Sequence, residues 1–171
     1  MPNTLAEINS LDRAAFTAAL GPLFEHSPWV AEETWPQRPF RDGAQLQAAL
    51  CATMRGATRE RQLALIRAHP DLAGRLAQQK RLTAESTREQ ASAGLDGLTA
   101  EELAEFQRLN AAYLARFQFP FIVCARLSHK AAILAAMQAR GGNSPEQEFQ
   151  AALGEIEKIA QLRLKDLLRT N

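Results

Sequence analysis

Apolar residues recur at helical spacing along this chain, and the alternating pattern of a β-strand is missing. Valine, which is enriched in strands, occurs only at Val30 and Val123. A long apolar stripe from Leu103 to Phe117 predicts a main core helix, and Thr99-Ala100-Glu101-Glu102 is the capping box that opens it. The pattern therefore predicts an all-α protein, a single compact domain over residues 1–171 with about six to eight helices.

Capping residues and helix breakers delimit the other predicted helices. Thr58 is expected to cap a helix over residues 59–68, and Pro145 to begin the last helix at its first position. Residues 72–79 are expected to add about one or two helical turns. No repeat, linker or low-complexity segment interrupts the pattern, which favours one domain.

The composition limits the classes of partner. The formal net charge is +1, which argues against a nucleic-acid-binding surface. The two cysteines, Cys51 and Cys124, are expected to be reduced thiols. The N-terminus lacks the basic and apolar blocks of a signal peptide, and no apolar run approaches membrane-spanning length. We expect a soluble cytoplasmic protein without nucleic-acid or membrane partners.

The stretch from Ala68 to Arg75 interrupts a predicted helix at a His-Pro pair. Pro70 lacks an N–H donor and biases the preceding residue away from the helical conformation, so His69 is expected at a helix end. An imidazole titrates near neutral pH, and such a position suits proton transfer. The alternative is that His69 only completes a C-terminal turn, where the helix dipole favours it.

The other histidines, His26 and His129, have no carboxylate cluster beside them and are expected on the surface. No His-x-x-x-His, Glu-x-x-His or Cys-x-x-Cys pairing occurs, so the sequence gives no support for a metal site. Glycine-rich phosphate fingerprints and the Gly-x-Ser-x-Gly nucleophile elbow are also missing.

Glu89 is the carboxylate that best fits as a partner for His69. It ends Ser86-Thr87-Arg88-Glu89, which matches a capping box, so it has a purely structural explanation as well. A helix N-terminus also offers backbone N–H groups to a small anion, with Ser86 and Gln90 as neutral neighbours. Arg163 is either an ordinary surface residue or a bidentate clamp for a carboxylate. The carboxylate of Asp71 is expected to cap a local turn.

Several motifs, taken in order, resemble the 2-oxo-4-hydroxy-4-carboxy-5-ureidoimidazoline (OHCU) decarboxylases of uric acid degradation. The resemblance extends from Arg38-Pro39-Phe40 to Leu162-Arg163-Leu164. Its most specific motifs are His69-Pro70-Asp71-Leu72-Ala73-Gly74, Glu85-Ser86 with Glu89-Gln90-x-x-Ala93-Gly94, Leu109-Asn110-x-x-Tyr113, Phe119-Pro120-Phe121, and Glu155-Ile156-x-Lys158-Ile159.

The resemblance implies an all-helical homodimer that needs neither a metal ion nor an organic cofactor. It implies that the chain converts OHCU to (S)-allantoin and carbon dioxide. The catalytic residues that it implies are His69 and its acidic partner Glu89. The substrate contacts that it implies are Pro70, Ser86, Thr87, Arg88, Glu89, Gln90, Phe121, Ile122, Val123, Cys124, Ala125 and Arg163.

These assignments give a mechanistic hypothesis. The substrate carboxylate lies beside a ring C=N bond that can accept the electrons released with carbon dioxide, so placement and proton transfer are what the protein must supply. His69 and Glu89 are expected to polarise the hydroxyl and imine region, and His69 to deliver a proton to one ring face. Backbone N–H groups of residues 121–125 and the guanidinium of Arg163 are expected to orient carbonyl and carboxylate groups.

The chain departs from the family pattern at two places. Gln118 stands where a glycine commonly precedes the Phe-Pro-Phe motif, and Gly141-Gly142 replaces a segment that usually contains leucine. Two alternatives to the decarboxylase stay open at this point. One is another cofactor-free lyase, isomerase or hydrolase of a cyclic ureide that uses the same His69/Glu89 pair. The other is a non-catalytic helical interaction module.

Overall fold

A computed structural model of the protein describes residues 4–74 and 81–168, and over these residues it contains nine α-helices and no strand. The predicted all-α fold class is confirmed. The helices are α1 Leu5–Ser10, α2 Arg13–Leu20, α3 Trp29–Thr34, α4 Gly43–Gly56, α5 Arg59–Ala68, α6 Ala84–Ser92, α7 Ala100–Phe117, α8 Lys130–Arg140 and α9 Pro145–Leu168. Short 3-10 helices occur at Gly21–Leu23, Trp35–Gln37 and Ala125–Leu127.

The described residues divide into two compact units. The first comprises residues 4–68 and 157–168, and helices α2, α3 and α4 pack together within it. Its helices turn most of their large apolar residues toward the interior of the unit. The largest of these buried side chains are Phe16, Phe24, Ile8, Leu20, Leu46, Leu50, Met54, Leu65 and Ile66.

The second unit comprises residues 69–74 and 81–156, and it contains every candidate site residue except Arg163. Helix α7 packs against α8, and its apolar face joins an aromatic cluster. The Tyr113 ring meets the Phe121 ring edge-on, with centroids 5.2 Å apart. The cluster fixes the start of the segment that follows α7, because aromatic pairs of this kind have a defined geometry.

Most helix ends fall where local signals predicted them. The Thr99 capping box of α7 is complete, Thr58 accepts a hydrogen bond from the Arg61 N–H, and α9 begins at Pro145. One or two helical turns were predicted over residues 72–79. Residues 72 and 73 form a turn instead of a helix, and residues 75–80 lie outside the described residues. Of the helices in the described ranges, each is too short or too polar to span a lipid bilayer.

The start of α6 differs from the prediction. Thr83 is the N-cap, and its hydroxyl accepts the Ser86 N–H at 3.2 Å, so Ser86-Thr87-Arg88-Glu89 is not the capping box. Glu89 consequently lies inside the helix, where backbone N–H groups are engaged in the helical hydrogen bonds. The expectation that Glu89 stands at a helix N-terminus is wrong, and its role rests on its side chain alone.

Gln118, one of the two departures from the family pattern, ends α7 in the left-handed conformation with φ 62° and ψ 21°. A glycine adopts this conformation without the steric cost that a Cβ imposes. Gln118→Gly is therefore expected to stabilise the protein by about 0.5–1 kcal/mol, as measured by urea unfolding. Gln118→Ala is the matched control. It keeps the Cβ and loses the hydrogen bond from Nε2 to the Ala115 carbonyl, so it should not stabilise.

Candidate active site

His69 lies immediately after α5, as the His-Pro pair predicted, and opens a loop that continues through Gly74. Its side chain is only 7% exposed, and its Nε2 atom is inaccessible to solvent. The loop turns sharply, since Ala73 has a positive φ of 49°. A buried imidazole at a helix end can exchange a proton with a bound ligand while water is excluded.

Two helices hold this loop through side-chain amides. The Oε1 atom of Gln90 on α6 accepts a hydrogen bond from the Ala73 N–H at 2.9 Å. The Nε2 atom of Gln90 donates a hydrogen bond to the Asp71 carbonyl at 3.3 Å. Asn110 on α7 donates from Nδ2 to the Leu72 carbonyl at 2.9 Å. Gln90 was predicted as a substrate contact, and its amide is already engaged with the loop. Its contact with substrate stays a prediction.

Gly74 closes the loop against Asp71. The Gly74 N–H donates to the Asp71 carbonyl at 3.3 Å, and a Cβ on Gly74 would lie 2.5 Å from the Asp71 Cβ. Asp71 is half-buried, and this burial raises the pKa of its carboxyl group above the ordinary value. The atom of Asp71 that accepts this hydrogen bond is the backbone carbonyl, so the capping role expected of its carboxylate stays a prediction.

Gly74→Ala is expected to displace the loop, because the two Cβ atoms cannot approach so closely. We expect a loss of about 1–3 kcal/mol in unfolding free energy, which chemical unfolding measures. Gly97→Ala is the control, since a Cβ at Gly97 meets no atom within 4 Å. Equal behaviour of the two variants would contradict the close approach.

Helix α6 carries the predicted residues on two different faces. Ser86 and Gln90 are buried and Glu89 is half-buried, as their spacing along a helix allows. Thr87 and Arg88 are exposed. The Thr87 hydroxyl donates to the Thr83 carbonyl, and Arg88 pairs with Glu85 at 3.4 Å. Ser86, Glu89 and Gln90 therefore form the inward face of this helix.

The segment of residues 121–125 is mostly buried, and side chains hold its backbone at two points. Arg140 donates from Nη1 to the Ile122 carbonyl at 2.8 Å, and Glu155 accepts the Cys124 N–H at Oε2 over 2.8 Å. The Cys124 N–H, which belongs to the predicted substrate-binding backbone, is thus already engaged. Its contact with substrate remains a prediction.

Glu89 comes close to this segment through α6. The helix packs against the 3-10 helix Ala125–Leu127, and the Lys130 N–H donates to the Ala93 carbonyl at the end of α6. The pKa of the Cys124 thiol is raised, first by burial and then by the negative charges of Glu155 and Glu89. Helix α6 therefore contacts the His69 loop through Gln90 and brings Glu89 to the 121–125 segment.

A buried charge network supports the same segment. Glu148 is fully buried and accepts hydrogen bonds from the Tyr113 hydroxyl, from Arg140 at 2.8 Å and from Asn143 at 2.7 Å. Burial opposes ionisation of Glu148, but these three donors outweigh it and hold the pKa of its carboxyl below the ordinary value. Arg140 also lies over the Phe121 ring, 4.2 Å from the centroid. The network fixes where the segment begins.

Arg163 belongs to the first unit, where its guanidinium is buried. It donates to Glu25 Oε2 at 3.1 and 3.2 Å and to the Pro22 carbonyl at 3.1 Å. Both side chains of this ion pair are almost fully buried. Arg163 is therefore not the ordinary surface residue of the sequence-based alternative. Its role as a clamp for a substrate carboxylate stays a prediction.

Sequence reasoning missed the residues that hold the site in place, which are Asn110, Arg140, Glu148 and Glu155. Asn110 and Glu155 stand in motifs that carry the family resemblance, and this was the available signal. Arg140 and Glu148 carried no local signal. Over residues 4–74 and 81–168, no group of three His, Cys, Asp or Glu side chains forms that could hold a metal ion.

The fold and site define an all-α protein with a buried histidine at a helix break and carboxylate and amide side chains on neighbouring helices. Residues 9–165 match the family model described as OHCU decarboxylase. The chain belongs to the OHCU decarboxylase family, which confirms the resemblance.

Relatives and a solved structure agree with this placement. The chain is 44% identical to a 2-oxo-4-hydroxy-4-carboxy-5-ureidoimidazoline decarboxylase of Haloferax volcanii, over 95% of each chain. It is 43% identical to a protein of the same name from Mus musculus, over 96% of this chain and 92% of that one. It also resembles the crystal structure of an (S)-allantoin synthase, with a TM-score of 0.80 and 33% identity. That match covers 99% of this chain and 55% of the other.

Proposed function

We propose that this protein decarboxylates OHCU to (S)-allantoin and carbon dioxide in uric acid degradation. The observation that carries the proposal is the family match over residues 9–165, with 44% identity to a named decarboxylase along almost the whole of both chains. The buried His69 and the inward face of α6 provide side chains suited to this chemistry. Family membership disfavours the non-catalytic interaction module.

The reaction needs one proton and no net redox change. The bond between the ring carbon and its carboxylate breaks, and the electron pair moves toward the adjacent ring C=N bond as carbon dioxide leaves. A proton then reaches the ring carbon that carries the ureido group. The hydroxyl loses its proton as it becomes the carbonyl of allantoin, and the former imine nitrogen gains one, so one proton is taken up in total. A protein that fixes the substrate and controls one proton supplies what these steps require.

His69 and Glu89 are assigned to the proton transfers. His69 delivers the proton to one ring face, which sets the handedness of the product, and Glu89 polarises the hydroxyl and imine region. Since the Cys124 N–H already donates to Glu155, the other N–H groups of residues 121–125 are assigned to the substrate carbonyl. The fixed guanidinium of Arg163 is assigned to the substrate carboxylate, with Glu25 setting its orientation.

Freshly generated OHCU mixed with the purified protein tests the function directly. Circular dichroism should show the formation of optically active allantoin. In a sample without protein, slower spontaneous decay should give racemic allantoin, which has no circular dichroism signal. Hydroxyisourate and allantoin serve as alternative substrates and distinguish another ureide lyase or hydrolase. An unchanged rate with racemic product would contradict the proposal.

The working form of the protein is proposed to be a cytoplasmic homodimer. The family resemblance supports the dimer, and the free thiols of Cys51 and Cys124 are compatible with a reducing compartment. Light scattering after size exclusion should give twice the chain mass of 18.9 kDa. A mass of one chain at micromolar concentration would contradict the dimer.

A further inference from the structure

Asn110 carries a buried hydrogen-bond acceptor that no residue in the described ranges 4–74 and 81–168 uses. The side chain is 9% exposed, and its Nδ2 donates to the Leu72 carbonyl at 2.9 Å. This bond identifies the nitrogen, because an amide oxygen in that position would face a carbonyl oxygen. The other atom is therefore the oxygen, and Oδ1 receives no hydrogen bond from any described residue.

A buried carbonyl oxygen without a donor is costly, and native proteins rarely keep one without a purpose. Two backbone N–H donors in the described part of the loop beside Asn110 are already engaged. The Ala73 N–H donates to Gln90, and the Gly74 N–H donates to the Asp71 carbonyl. A bound ligand with N–H groups is the donor that would satisfy Oδ1.

The position of Asn110 connects this acceptor to the site. Its Nδ2 donates a hydrogen bond to the carbonyl of Leu72, which lies three residues after His69 in the same short loop. Gln90 forms hydrogen bonds with the backbone of the two residues that flank Leu72, and it follows Glu89 on α6. The acceptor therefore lies against the loop that follows His69, and Gln90 of α6 holds the same loop.

We propose that Asn110 is a substrate-binding residue whose Oδ1 accepts an N–H of the cyclic ureide while its Nδ2 anchors the His69 loop. This inference rests on the proposed function. A neutral amide suits the task because it recognises an N–H without repelling the carboxylate of the anionic substrate. An aspartate would offer the same oxygen but add a negative charge beside that carboxylate.

Ligand binding to wild type and Asn110→Ala tests the contact. Calorimetry measures the binding of (S)-allantoin and of its mono-N-methyl derivatives. Each derivative has one N–H group blocked by a methyl group. One derivative should bind wild type about tenfold more weakly than allantoin, and this difference should vanish in Asn110→Ala. Gln107→Ala, exposed on the same helix, should behave like wild type. Equal methylation penalties in wild type and Asn110→Ala would overturn the proposal.

Asn110→Asp distinguishes substrate binding by Asn110 from its anchoring of the His69 loop. It also replaces the alanine variant as the test if that variant does not fold. Both variants lose the donor to Leu72, but the aspartate adds charge. We expect the KM for anionic OHCU to rise by a larger factor than the dissociation constant for neutral (S)-allantoin. Equal factors would indicate anchoring alone and overturn the contact. Wild-type turnover is measured first: its absence refutes the proposed function, whereas turnover with an unchanged KM in both variants refutes only this inference.

Discussion

A His69→Asn variant is expected to fold normally and to lose OHCU decarboxylation, with kcat about 10²- to 10⁴-fold below wild type. Asparagine fits the space and keeps a polar side chain, but it cannot exchange a proton. Because His69 is already outside α5, the substitution leaves the helix intact. The loop is held mainly by Gln90 and Asn110, which the variant retains.

The residual product distinguishes this role from a general loss of structure. If His69 delivers the proton to one ring face, the slow reaction of the variant should give allantoin of reduced optical purity, which circular dichroism measures. His26→Asn is the control, since His26 is exposed and has a positive φ of 46° that asparagine tolerates. A folded His69→Asn protein with full turnover would refute the assignment of His69.

The helices could be predicted from the sequence where their signals are local. The end of α5 depends on Pro70, which acts within one residue, and the start of α7 depends on Thr99 and Glu102, which bond to each other. The apolar stripe of α7 likewise follows from a period of 3.6 residues. The position of His69 was predictable for the same reason.

The start of α6 was not predictable in this way. Thr83 and Ser86 both make good N-caps, and Glu89 after Ser86 completed a capping-box pattern. The structure extends the helix back to Thr83 and buries Ser86 together with Gln90. Burial of a polar side chain depends on what packs against it, and a local pattern contains no information about that.

The polar contacts that support the site join residues distant in sequence. Glu155 lies 31 residues from the Cys124 N–H that it accepts, and Arg163 lies 138 residues from Glu25. An amphipathic pattern assigns such charged residues to the solvent, since buried charges are rare unless they are paired. Only the folded chain identifies the pairs, so these supporting contacts were not predictable from the sequence.

Arg140→Met should be the most destabilising of the substitutions considered. It leaves Glu148, which is fully buried, without its cationic partner, and it removes the hydrogen bond to the Ile122 carbonyl. Breaking a buried pair from one side costs about 3–5 kcal/mol. Urea unfolding at neutral pH measures the loss. Arg108→Met, which breaks an exposed pair with Glu105 on α7, is the matched control and should change stability little.

The pH dependence of this loss identifies its cause. In wild type the pKa of Glu148 lies below its ordinary value, so the ionised group stabilises the fold above that ordinary value. This stabilisation is lost as pH falls through the lowered pKa. Without Arg140, burial raises the pKa of Glu148, and the carboxyl group then favours the fold in its protonated form. The stability difference between wild type and Arg140→Met should therefore be largest at neutral pH and shrink as pH falls toward 4. A constant difference would show that lost packing, not the uncompensated charge of Glu148, causes the destabilisation.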